Sequence, residues 1–155
     1  QYLFERAASH ESFSFIEVYT NCNIFNDGAF DSFAKKDVKE DQTVMLEHGK
    51  PMVFGKEKGK GIRLDGFRPT VVSLTDGKYG IEDLLVHDEK DSTLAFILGD
   101  MTYNPDVPRP LGVFQSLERN SYDDSVHRQI AYEVETKGEG DIMELMKGNE
   151  SWEVK

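Results

Sequence analysis

The 155-residue sequence contains a single cysteine, so the chain cannot form an internal disulfide. This scarcity is typical of a reducing compartment and predicts a cytoplasmic protein. No apolar run approaches the roughly 20 residues that a membrane-spanning helix requires. The first residues, QYLFERAASHESFSF, lack the basic and apolar regions of a signal peptide. We therefore expect no membrane partner.

Positive charge is also scarce overall. The sequence has 18 Lys and Arg against 29 Asp and Glu, a net charge of −11, which argues against a nucleic-acid partner. The phosphate-binding and hydrolase signatures G-x-x-x-x-G-K-[ST], G-x-G-x-x-G, G-x-S-x-G and H-E-x-x-H are all absent. The residues alone therefore indicate no catalytic position in this chain, and they leave any organic-cofactor-binding position unknown.

Hydrophobic residues make up 38% of the sequence, enough for a folded core. The aromatic and β-branched run Phe13–Thr20 predicts a central strand, and the Asn-rich run behind it predicts a structured loop. Residues 43–55 predict two strands around a tight turn, and the three prolines of 104–112 predict a linker. Further strands are predicted over 61–65 and 70–74, and helices over 2–9, 29–41, 80–86, 93–101, 122–137 and 142–147. The last three helices have predicted N-terminal caps, which are Ser92, Ser121 and Asp141.

Cys22 is the residue whose side chain is most suited to a chemical role. It comes directly after the predicted strand, between Asn21 and Asn23, where loops of α/β proteins often carry function. By itself a lone cysteine is most often a small buried apolar side chain. The alternative is an iron ligand, and a [4Fe–4S] cluster then needs three further thiolates from another polypeptide segment.

A basic segment, residues 50–68, stands out against the acidic background. It holds six cations and two carboxylates: Lys50, Lys56, Lys58, Lys60, Arg63 and Arg68 against Glu57 and Asp65. One interpretation is a solvated hairpin with lysines on an exposed edge. The other is a positive surface for an acidic partner or a phosphate group.

Several runs together resemble one protein family. They are SFIEVYTNCNIFNDGAF, MLEHGKPMVFGKEKGKGIRLDG, DLLVHDEKDSTLAFILGDM, PLGVFQSLERNSYD and the final GDIMELMKGNESWEV. They resemble the C-terminal part of the β subunit of 2-oxoacid:ferredoxin oxidoreductases, most closely the 2-oxoglutarate branch. The resemblance extends from about residue 13 to the end.

The resemblance implies an activity and a set of partners. Such enzymes decarboxylate a 2-oxoacid oxidatively, transfer the acyl group to coenzyme A and reduce ferredoxin. Their β subunit binds thiamine diphosphate with Mg²⁺ and one [4Fe–4S] cluster, and it works with an α subunit. The fourth cluster cysteine of the family corresponds to Cys22 here, which makes Cys22 the candidate metal ligand.

The sequence departs from the family pattern at two points. It has neither the GDG that opens the thiamine-diphosphate motif nor the C-x-x-C pair of the cluster. We therefore expect a C-terminal piece or one half of a split subunit, inactive alone, with the remaining cofactor sites on the remainder of the β subunit. The first residue, Gln rather than Met, fits this expectation.

The expected fold class is α/β. Residues 1–28 are predicted to end a thiamine-diphosphate-binding domain, with a helix, a strand and the Cys22 loop. Residues 29–155 are predicted to form a mixed α+β extension with a small antiparallel sheet. An alternative function from another class is a non-catalytic interaction module derived from such a subunit.

Overall fold

The computed structural model describes residues 1–149, 152 and 154. Its elements in chain order are α1 (Tyr2–Ser9), α2 (Asp31–Ala34), α3 (Lys39–Gln42), β1 (Thr43–Met45), β2 (Val53–Phe54), β3 (Lys60–Asp65), β4 (Arg68–Ser73), a 3-10 turn (Ile81–Asp83), α4 (Ser92–Met101), β5 (Arg109–Leu111), α5 (Tyr122–Lys137) and α6 (Ile142–Lys147). Mixed helices and strands confirm the α/β class. In the described residues, no helix is both long and apolar enough to cross a membrane.

The chain divides into two compact units. The first comprises residues 1–7 and 15–117, and the second comprises residues 8–14 and 118–155. All five strands belong to the first unit. The predicted boundary between residues 28 and 29, together with the thiamine-diphosphate-binding fold expected on its N-terminal side, stays a prediction.

The strands form two small sheets. Strands β2, β3 and β4 build a three-stranded antiparallel sheet, in which β3 and β4 pair from Lys60 with Ser73 to Asp65 with Arg68. This is the small antiparallel sheet that the sequence predicts. Strand β1 instead pairs in parallel with β5, placing Val44 beside Pro110. A parallel pair needs a long crossover, here the whole segment between the two strands.

Two local predictions are therefore wrong. The tight-turn hairpin over 43–55 does not form, because β1 pairs with β5 while β2 pairs with β3. The proline-rich segment 104–112 is not merely a linker, since it contains β5. Proline cannot donate a ladder hydrogen bond, but it is tolerated at the edge of a sheet, which is the position of Pro110 in this two-stranded pair.

The predicted strand over 13–20 is also absent. These residues have no strand pairing within the part of the chain that the structure describes, and Phe13 and Phe15 are more than three-quarters exposed. The composition favours a strand, but a strand requires a neighbouring backbone to hydrogen-bond with. The described residues supply no such neighbour here.

One core lies between the two sheets and helix α4. Leu94, Leu98 and Met101 on α4 pack into it, and Asp91 caps this helix by accepting hydrogen bonds from the N–H groups of Thr93 and Leu94. The predicted cap at Ser92 is thus displaced by one residue. The other buried members of the core are Val44, Leu46, Met52, Phe54, Ile62 and Val107.

The second unit is helical. Ser121 caps α5 by accepting from the N–H of Asp124, and Gly138 follows the helix with φ of 82°. Asp141 caps α6 by accepting from two backbone N–H groups. These caps and both helices confirm the sequence predictions. Neither helix buries a side chain.

Candidate functional site: the Cys22 loop

The Cys22 loop, residues 21–30, is held closed by its own backbone. The N–H of Asn26 donates to the carbonyl of Cys22 at 3.0 Å, which forms an isolated antiparallel bridge between the two residues. The N–H of Asp31 donates to the carbonyl of Gly28 at 3.0 Å, so that the loop runs directly into α2. The structured loop that the turn-forming residues predict is therefore confirmed.

Asn21 stabilises the loop from within. Its Oδ1 accepts from the N–H of Gly28 at 3.0 Å, and its Nδ2 donates to Asp27 at 2.8 Å and to Asn23 at 2.5 Å. The amide of Asn21 is thus committed to the loop itself. This side chain serves to fix the loop conformation.

The sulfur of Cys22 is exposed. This position would let another chain reach the thiol, and it contradicts the alternative of a small buried apolar side chain. Its neighbours Ile24 and Phe25 are 84% and 89% exposed. Large apolar side chains at such exposure are typical of a surface that another protein segment covers.

The loop also changes the acidity of the thiol. Hydrogen bonding from the backbone of Phe25, followed by that of Ile24, lowers the pKa of Cys22 below its usual value. The physical cause is that backbone N–H dipoles favour the thiolate over the neutral thiol. Because thiolate is the form that binds iron, the loop presents a suitable ligand.

An aromatic cluster anchors the loop to β5. Tyr19, Phe30 and Phe33 lie with ring centroids 5.2 to 5.7 Å apart. The guanidinium of Arg109 lies 4.2 Å from the centroid of Phe33 and 5.2 Å from that of Tyr19, close enough for cation–π contacts. Sequence reasoning missed Arg109, because nothing in the proline-rich segment around it signals that the chain folds back onto residues 19–33.

The basic segment 50–68 is split by the fold. Lys50 pairs with Glu47, and Lys60 pairs with Asp41 at 3.0 Å. Arg63 instead lies over the ring of Tyr79, 5.6 Å from its centroid. Successive strand residues point to opposite faces, so Lys60 and Arg63 cannot belong to one flat surface. The segment is therefore not a single continuous positive patch.

The part of this chain that the structure describes does not form a complete metal site. Within residues 1–149, 152 and 154 there is no group of three or more His, Cys, Asp or Glu side chains arranged to hold a metal ion. A single exposed thiolate can supply one ligand at most. The residues present fit an iron–sulfur cluster only as a shared site, with its remaining ligands on other segments.

Fold and site together describe a mixed α/β piece with one exposed thiol and, among the described residues, no group of side chains that could hold a metal ion. Comparison with curated proteins shows which kind of protein such a piece resembles. The chain is similar to the 2-oxoglutarate oxidoreductase subunit KorB of Mycobacterium tuberculosis (strain ATCC 25618 / H37Rv), with 30% identity over 152 residues. The match covers 96% of this chain but only 40% of that protein. The resemblance drawn from the sequence is thus confirmed, and the match is consistent with a C-terminal piece of a β subunit.

No family model matches the chain. No solved structure matches it either.

Proposed function

We propose that this chain is the C-terminal part of the β subunit of a 2-oxoacid:ferredoxin oxidoreductase, with 2-oxoglutarate as the substrate. In this proposal Cys22 is one of the four ligands of a [4Fe–4S] cluster. The observation that carries it is the exposed Cys22 sulfur, whose thiolate is stabilised by the backbone of Ile24 and Phe25. The similarity to KorB supports the assignment to an oxidoreductase subunit.

The part of Cys22 in such a site is structural and electrostatic. Its thiolate would fix one corner of the cluster, and the remaining thiolates would come from the remainder of the β subunit. Hydrogen bonds from N–H groups to a ligating sulfur stabilise negative charge and raise the reduction potential. When bound, the cluster supplies one-electron transfer. The loop around Cys22 would keep the sulfur in a fixed position.

The remaining chemistry belongs to other segments in this proposal. Thiamine diphosphate and Mg²⁺ would bind the remainder of the β subunit, and the α subunit would complete the enzyme with coenzyme A and ferredoxin as co-substrates. This chain would supply no catalytic residue. The exposed Phe15, Ile24 and Phe25 favour burial against the remainder of the subunit, because each leaves a large apolar surface in water.

The proposal is tested in a reconstituted assembly. The chain is co-expressed with the remainder of the β subunit and the α subunit, and iron content, sulfide content and visible absorbance are measured. We expect Cys22→Ala to lose the cluster absorbance and most of the iron. Asn23→Ala is the matched control, because it alters the same loop without removing the sulfur.

Two results would contradict the proposal in different ways. A full iron content in the Cys22→Ala assembly would remove Cys22 from the ligand set while leaving the enzyme assignment standing. A wild-type assembly that forms but contains no iron and oxidises no 2-oxoacid would favour the non-catalytic interaction module.

A further inference from the structure

Three segments of the first unit meet at Glu89. Its carboxylate accepts two hydrogen bonds from Arg6 of α1, at 2.8 and 2.7 Å. Its backbone carbonyl accepts from the N–H of Ser116 at 2.8 Å. Its own backbone N–H donates to Nδ1 of His48 at 3.1 Å. Glu89 is buried, so losing any one of these partners leaves a polar group that water does not easily reach.

The contact with the backbone N–H fixes the protonation state of His48. A backbone N–H can only donate, so Nδ1 of the ring must present a lone pair to it. In that state the single ring proton is on Nε2 and the side chain is neutral. A protonated imidazole carries a hydrogen on both nitrogens and accepts at neither. The observed arrangement therefore requires neutral His48.

A partner for the protonated ring is already in place. Oδ1 of Asp88 lies 3.6 Å from the same Nδ1 of His48, just beyond hydrogen-bonding distance. The N–H of Lys90 donates to this carboxylate oxygen at 2.9 Å and holds it there. The side chains of His48 and Asp88 are both about half exposed, so protons reach the ring from solvent. Nδ1 thus has one partner for each protonation state, a donor when neutral and a carboxylate when charged.

Few other groups around His48 titrate near neutral pH. Besides Asp88 and Glu89, the titratable and charged groups on the surrounding segments are Arg6 and Tyr2 of α1, Glu47 and Lys50 beside the ring, and His87 and Lys90. The adjoining residues 113–117 contain none. His87 is fully buried, and its Nε2 lies 2.8 Å from the carbonyl oxygen of Val113. Only the two histidines are of the type that titrates between about pH 5 and pH 8, so a test has to separate them.

We propose that His48 is a pH-sensitive switch that controls how firmly helix α1 is attached. The neutral ring accepts the N–H of Glu89 and so fixes the residue that binds Arg6. The protonated ring has a hydrogen on Nδ1, releases that N–H and donates to Asp88 instead. The inference does not depend on the proposed enzymatic function.

The switch reaches α1 through Glu89. Helix α1 buries no side chain of its own, so its ion pair with Glu89 is a main point of attachment. The pKa of Glu89 is lowered first by the hydrogen bonds from Arg6, and positive charge on His48 adds to the lowering. A protonated ring therefore attracts the same carboxylate that Arg6 binds. The loss of the N–H contact and this competition both weaken the attachment of α1.

The test is an NMR titration of the full ¹⁵N-labelled chain from about pH 8 to pH 5. The nitrogen shifts of the imidazole report which ring atom of His48 carries the proton. Amide exchange, expressed as a protection factor to remove its intrinsic pH dependence, reports the Glu89 N–H and the amides of α1. We expect the protection of the Glu89 amide to fall about tenfold on acidification, in step with the protonation of His48. The protection of the α1 amides should fall with it.

Three variants separate the steps. His48→Asn keeps an acceptor oxygen at the δ position but cannot gain a proton, so we expect the Glu89 amide to stay protected throughout. His127→Asn is the matched control, because it removes an exposed histidine of α5 and should leave the transition unchanged. In Arg6→Ala, we expect Glu89 still to respond to pH while the α1 amides no longer follow it.

Three results would overturn the proposal. A neutral His48 ring with its proton on Nδ1 could not accept the N–H of Glu89 at all. A transition at Glu89 that persists in His48→Asn would assign the pH dependence to another group, with His87 the first to examine. Amides of α1 that stay unchanged while Glu89 responds would show that the effect does not reach the helix.

Discussion

The ion pair between Arg6 and Glu89 attaches helix α1 to the loop that precedes α4. The two guanidinium nitrogens donate to the two carboxylate oxygens at 2.8 and 2.7 Å, a bidentate geometry. Helix α1 buries no side chain of its own, so this contact is prominent among those that hold it. The side chain of Glu89 is 10% exposed and that of Arg6 is 33% exposed.

The cost of breaking the pair follows from this partial burial. An exposed ion pair contributes about 0 to 1 kcal/mol, whereas stranding one charge of a fully buried pair costs about 3 to 5 kcal/mol. The exposure of Arg6 screens the interaction, so we expect Arg6→Ala to lower the free energy of unfolding by about 2 kcal/mol. We expect the double variant Arg6→Met/Glu89→Met to lose less, since it strands no charge.

The same pair predicts a pH dependence. The hydrogen bonds from Arg6 hold the pKa of Glu89 below its usual value. A carboxylate with a depressed folded-state pKa stabilises the fold above its unfolded pKa of about 4.3 and loses that contribution as the pH falls through the folded value. In urea unfolding between pH 7 and pH 3, we expect the difference in free energy of unfolding between the wild type and Arg6→Ala to become smaller as the pH falls. A difference in free energy of unfolding below about 0.5 kcal/mol at pH 7, or a difference that does not change with pH, would refute this reasoning.

Three further predictions concern single positions. Gly112→Ala should lower the free energy of unfolding in urea by about 2 kcal/mol. The reason is that Gly112 has φ of 136° and an added Cβ would lie 2.9 Å from Cβ of Leu46. An unchanged urea midpoint would contradict this. Asp91→Ala should cost about 1 kcal/mol through loss of the α4 cap, and Asp91→Asn should restore most of it if capping is the cause. The lowered pKa of Cys22 predicts that iodoacetamide reacts with the folded chain at lower pH than with the urea-unfolded chain, because the thiolate forms at lower pH in the fold. Identical pH profiles of the two reactions would show that the loop leaves the thiol unperturbed.

Local predictions from the sequence succeed where the determining forces are local. The helices capped by Ser121 and Asp141 form as predicted, because a capping side chain and its backbone partners lie within three residues. Strands β3 and β4 also form in the predicted antiparallel sheet, because they are adjacent in sequence, although β4 begins at Arg68 rather than at the predicted residue 70. Prediction fails for β5, whose pairing with β1 joins residues more than 60 positions apart.

For the candidate site, the sequence by itself determined that the chain has one thiol, that this thiol lies in an Asn-rich loop, and that the surrounding runs resemble an oxidoreductase β subunit. Only the tertiary structure decided that the sulfur is exposed, that Arg109 lies over the rings of Tyr19 and Phe33 on either side of the loop, and that Arg63 and Lys78 both lie over the ring of Tyr79. The physical reason is that caps, turns and residue types act over a few positions, whereas exposure and charge clustering depend on contacts between segments far apart in the chain.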